Sequence, residues 1–217
     1  AQVLRTRVDE LGRVDFAGIA ADPATLQGVV AAIGAGPEPA ARADLLAWRI
    51  NAYNALAMWG IVRRGIPRSL GLLARFSFFA NTTIRVAGRD TTLKSFEDDV
   101  IRRMGDERVH FALNCMVRGC PRLPREPFLG ARLEAQLQEA TREFCSDPRH
   151  VRADHARRVA LLSQIFEFFT ADFVPAAAPD LITYVNRWRP EQIPWTYEVR
   201  FPDYDWTINA QPSSGRP

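Results

Sequence analysis

The sequence predicts an α+β fold, with a small antiparallel sheet packed on a long buried helix and further helices around it. Three observations predict it. The stretch from about Ala43 to Arg64 places Leu45, Leu46, Ile50, Tyr53, Leu56, Trp59 and Ile61 near helical spacing. "TTIRVAGRDTTL" alternates, turns at Gly88 and alternates again, which is the pattern of a β-hairpin. The order of segments (helices, hairpin, helix, strand, helices, strand) suits segregated helices and strands rather than a regular βα alternation.

Each element has its own signals. "GAGPEPAAR", Gly34 to Arg42, is a breaker-rich loop between two helical segments. The long helix that follows ends with Arg63 and Arg64 in its last turn, Gly65 as a left-handed cap and Pro67 as a stop. After the hairpin, Ser95 offers an N-cap with Asp98 three residues on, opening a helix to about Arg103. Arg108 to Leu113 is rich in buried residue types and reads as a short strand. Helices are expected from about Ala131 to Phe144 and from Val159 to Phe173, and "WTYEVRFPDYDW" contains one further strand. Residues 1–211 form one domain in this reading, and 212–217, within "QPSSGRP", a flexible tail.

Composition narrows the function. The chain has 217 residues, enough for one sizeable core, and its 47% hydrophobic fraction is too high for disorder. The 28 basic residues, all arginine except Lys94, are interleaved with 25 acidic ones. No basic stripe emerges, so nucleic acid is not an expected partner. No apolar run is long enough for a membrane span. Three cysteines cannot all pair, and three histidines without Cys-x-x-Cys or His-x-x-x-His spacing give no metal signature and call for no cofactor.

One stretch, "VHFALNCMVRGCP", concentrates the reactive residue types. Cys115 is either a small buried hydrophobe or a nucleophile activated by an imidazole. His110 lies five residues earlier, so the two can meet only if the chain bends between them, after Ala112. Cys120 is a redox candidate if it approaches Cys115, and otherwise a turn cysteine. Glu97 either answers a helix dipole or fixes the tautomer of His110. Asn51, Tyr53 and Asn54 interrupt an apolar helix and must anchor backbone or line a pocket. Asp205 and Trp206, in "DYDW", either cap a strand end or line the same pocket.

"INAYNAL", "FALNC" followed by "GCP", "IFEFFTADF" and "YDWTIN" together resemble the domain of unknown function 547 family, from about Gly12 to Asn209. The resemblance implies a papain/transglutaminase-like fold. It maps the family's motif residues onto Asn51, Tyr53, Asn54, Glu97, Arg102, His110 to Cys115, and Tyr204, Asp205, Trp206 and Asn209. Arg49 stands where an aromatic is expected, and the core-helix position that holds the cysteine in papain-like enzymes has none here. The implied chemistry is cysteine-dependent hydrolysis or acyl/amide transfer on a small-molecule or peptide substrate. Cys115 would attack, His110 would shuttle the proton, Glu97 or Asp205 would orient the imidazole, and Asn114 or nearby backbone N–H groups would stabilise the oxyanion. A non-catalytic module that binds a protein or ligand, and a thiol redox role for the Cys115/Cys120 loop, are the alternatives. The start at Ala1-Gln2 and the resemblance to exported bacterial members suggest a periplasmic or secreted protein.

Overall fold

The computed structural model describes residues 1–212, so all but the first residue of the expected tail lies outside the described residues. Three helices, α1 (Gln2–Arg7), α2 (Phe16–Ala21) and α3 (Ala24–Ala35), lead to α4 (Arg42–Arg63). α4 is the central helix. Ile50, Ala57 and Ile61 are 0% exposed, and the first large cluster of buried side chains forms around them. Its end follows the punctuation of the sequence: Gly65 has φ +72°, its N–H donates to the Val62 carbonyl, and that of Ile66 donates to Ile61.

α5 (Leu72–Ala80) precedes the hairpin, β1 (Ile84–Val86) and β2 (Arg89–Thr91), which turns through Ala87 and Gly88, both with positive φ. The next helix begins earlier than Ser95 suggested. Thr92 caps it, accepting from the Ser95 N–H, and α6 (Leu93–Ser95) then widens into a π turn over Phe96–Ile101 and tightens to a 3-10 turn over Arg102–Met104. Glu97 sits on the widened turn.

The expected strand at Arg108 to Leu113 is instead a 3-10 helix, Glu107–Phe111. The Asp106 side chain accepts from the Arg108 N–H and starts this turn locally, while burial explains the apolar run. A 3-10 turn at Gly130–Arg132 leads into α7 (Leu133–Ser146), close to its expected span. The expected helix from Val159 to Phe173 is also revised. β3 (Val151–Asp154) pairs antiparallel with β4 (Val159–Leu162), and only then do α8 (Gln164–Phe168) and α9 (Thr170–Phe173) form. After α10 (Leu181–Asn186), β5 (Glu198–Arg200) joins β4 in parallel, so the three-stranded sheet is mixed rather than antiparallel.

The fold is α+β. Its second buried cluster, around Phe144, Phe166, Phe173 and Tyr184, lies beyond the 3-10 helix from the first, and Tyr204 packs against both. Among the described residues, no helix is long and apolar enough to cross a membrane.

Candidate active site

The stretch from His110 to Cys120 lies at the seam of the two clusters, and Asn54 of α4 fixes its course. The Asn54 side-chain amide donates to the Ala112 carbonyl at 2.9 Å and accepts from the Asn114 N–H at 2.7 Å. Asn114 closes the loop in turn, donating to the Pro121 carbonyl at 2.6 Å and accepting from the Met116 N–H at 2.7 Å. Met116 takes φ +69°, an unusual conformation for a residue with a side chain, and these bonds hold it there. Both Asn114 side-chain groups are therefore engaged in holding the loop.

The loop brings two thiols together. The Cys115 and Cys120 sulfurs are 2.6 Å apart, and both cysteines are free. Cys120, which is buried, also receives the Cys115 backbone N–H at 3.1 Å and the Tyr204 hydroxyl at 3.4 Å. Burial pushes the Cys120 thiol up, but the donors from Cys115, Tyr204 and the backbone outweigh it and favour the thiolate. Cys115 moves the other way: its hydrogen bond to Cys120, then burial, then the charges of Cys120 and Glu97 hold its proton on. Of the two, Cys120 is the sulfur whose thiolate is better stabilised, and Cys115 is the one that keeps its proton to higher pH. The third cysteine, Cys145, is fully buried in the second cluster, and burial pushes its thiol up to about 12.

A cavity of about 330 Å³ opens over this pair. Tyr53, Glu97, His110, Cys115, Cys120 and Trp206 are among its walls, with Phe79, Phe168 and Phe169 supplying apolar surface. Tyr53 donates to Glu97 at 2.9 Å, and burial raises the Glu97 carboxyl above its ordinary value against the opposing pull of His110. His110 does not bond to Glu97. Its Nε2 meets Asp172 of α9 at 2.7 Å, its ring stacks on Phe169 at 4.0 Å, and its buried Nδ1 has no hydrogen-bond partner. Arg102 grips Asp172 through two nitrogens at 2.7 and 2.9 Å. The hydrogen bond from His110, then the Arg102 pair, hold the Asp172 carboxyl far below the usual range.

The expected orienting carboxylates are therefore corrected. Neither Glu97 nor Asp205 hydrogen-bonds to the imidazole; Glu97 accepts from Tyr53, and Asp205 is exposed and accepts the Thr207 N–H. Asn51 lies away from the thiols and holds Phe128 by two hydrogen bonds to its backbone. Asp172 stands in "IFEFFTADF" as one of two acids, with Glu167, in an apolar run, and Arg102 is the cation that meets it. Tyr204 and Trp206 reach the cavity because the C-terminal segment pairs with the cysteine loop: Gly119 N–H donates to Asp205 and Arg118 N–H to Thr207.

The family model described as protein of unknown function, DUF547, matches residues 37–145. The chain belongs to this family. Comparison with curated proteins and with solved structures gives no match. The DUF547 match takes in α4, Glu97, Arg102 and the cysteine loop, a narrower span than the resemblance suggested. Asp172, Tyr204 and Trp206 lie beyond it, so the DUF547 segment supplies the thiols while later elements complete the cavity.

Proposed function

We propose that the protein carries out thiol–disulfide exchange, with Cys115 and Cys120 as the reducing pair and a small or peptide disulfide as co-substrate. The observation that carries this reading is the sulfur–sulfur contact at the cavity wall, with Cys115 on the more exposed side. Cys115 passes its proton to Cys120, and its sulfur attacks one sulfur of the substrate. The substrate S–S bond breaks, and the departing thiolate takes the proton back from Cys120. The Cys120 thiolate then attacks Cys115 in the mixed disulfide, closing a bond between the two cysteines and expelling the second thiolate. Two electrons pass from the pair to the substrate. Tyr204 stabilises the Cys120 thiolate, while Tyr53 and the Glu97 carboxyl offer polar contacts to the bound substrate.

A second reading rests on a different observation: His110 lines the same cavity, is joined to Asp172 through Nε2, and its Nδ1 is unpaired. Here Cys115 is the nucleophile of a hydrolase or acyl transferase of the papain/transglutaminase-like class, and Asp172 orients His110.

One set of variants separates the two. Wild type treated with an aromatic disulfide should end with a Cys115–Cys120 bond, read by mass spectrometry of peptides. Cys120→Ser should stop at a mixed disulfide on Cys115, and Cys115→Ser should not react. A wild type that keeps both thiols overturns the exchange reading. Hydrolysis of an activated thioester that survives in Cys120→Ser and disappears in His110→Ala would decide for the acyl reading.

A further inference from the structure

We infer that α5 is an interfacial anchor that docks on an anionic lipid bilayer and turns the mouth of the thiol cavity toward it. Leu72, Leu73 and Phe76 are 73%, 84% and 66% exposed on this helix. Their spacing gathers them on one face, while Phe78 on the other face is 0% exposed, close against Gly60 of α4. Phe79, one turn beyond Phe76, lines the thiol cavity together with Trp206 and Phe168, itself 48% exposed. Apolar surface therefore continues from the helix to the cavity.

The charges around it indicate the occupant. No acidic residue lies between Asp44 and Asp90, whereas Arg63, Arg64, Arg68 and Arg75 fall in or just before α5. Arg63 and Arg68 are exposed, and neither pairs with a carboxylate among the described residues. Arg75 lies over the Trp206 ring at 4.4 Å, and its Nε has no partner. Large apolar side chains that protrude singly, beside unpaired guanidiniums, suit acyl chains below and phosphate headgroups above. The inference holds whichever reaction the thiols perform.

The test is flotation of the full chain with phosphatidylcholine vesicles and with mixed phosphatidylcholine–phosphatidylglycerol vesicles. Binding is expected to the mixed vesicles only, and to weaken in high salt. The double variant Leu73→Ser/Phe76→Ser should lose at least about tenfold in partitioning, and Arg63→Gln/Arg68→Gln should lose the preference for anionic lipid. These side chains are exposed, and unchanged circular dichroism and thiol reactivity will show that the variants remain folded. Absence of wild-type binding, or equal binding by the Ser variant, overturns the proposal. So does a solution dimer that the Ser variant disperses, since a second copy would then cover the helix.

Discussion

Asn54 shows how a single side chain can set the geometry of a reactive loop. It bridges the backbone at Ala112 and Asn114, both buried, and so determines where Cys115 begins. Asn54→Ala leaves two buried backbone groups unpaired and should cost about 2–3 kcal/mol in urea unfolding. Gly119 makes a second, sharper prediction. A β-carbon there would lie 2.7 Å from the Tyr204 ring, so Gly119→Ala must displace the phenol. Cys120 then loses a donor, and the thiolate absorbance of the pair should appear at higher pH than in wild type. At this scale the sequence was readable where residue type limits the choices. Cys115, His110, Glu97, Tyr53 and Trp206 all line one cavity. The partners were harder to read, because a hydrogen bond such as His110 to Asp172 spans 62 residues and leaves no local pattern.

Among the elements, those with local punctuation were legible and those fixed by distant pairing were not. α4 ends at the Gly65 cap that its sequence announces, and the hairpin turns at Gly88 as its alternation requires. Val159 to Leu162 gave no such signal. It becomes a strand because it pairs with Val151–Asp154 on one side and Glu198–Arg200 on the other, which no window along the chain reveals. The turn between β3 and β4 was missed as well, although the Asp154 side chain accepts from the Arg157 N–H and Arg158 takes φ +56°. Packing between elements gives a further prediction at Gly60, where a β-carbon would lie 2.9 Å from the buried Phe78 ring. Gly60→Ala should gain about 1 kcal/mol of helix propensity on α4 but lose about 1–3 kcal/mol to the clash. Thermal melting should show no net stabilisation, unlike an open helical site.

The whole molecule is two cores meeting at His110 and Phe111, and the second core carries a histidine that links stability to pH. His150 is 5% exposed, stacks on Phe144 at 4.0 Å, and has a buried Nε2 with no partner. Burial, with Arg149 adding to it and Asp147 opposing, lowers its pKa to about 4. Above about pH 7 the imidazole is neutral in both states, and its contribution to stability is fully present. As pH falls from about 6.5 toward 4 the unfolded chain takes a proton that the folded chain refuses, and stability declines by on the order of 3 kcal/mol. Asp172, whose carboxyl is depressed, loses its contribution only at lower pH, below the ordinary carboxylate range. Glu97 acts in the opposite direction: its raised pKa contributes stability at low pH that is lost as pH rises through the folded value. The direct comparison is therefore wild type against His150→Phe, which keeps the stack on Phe144 and removes the titrating group. Urea unfolding at pH 7.5 and at pH 5 should show the wild type losing more stability than the variant on acidification. Equal losses would mean that His150 is free to protonate in the folded chain.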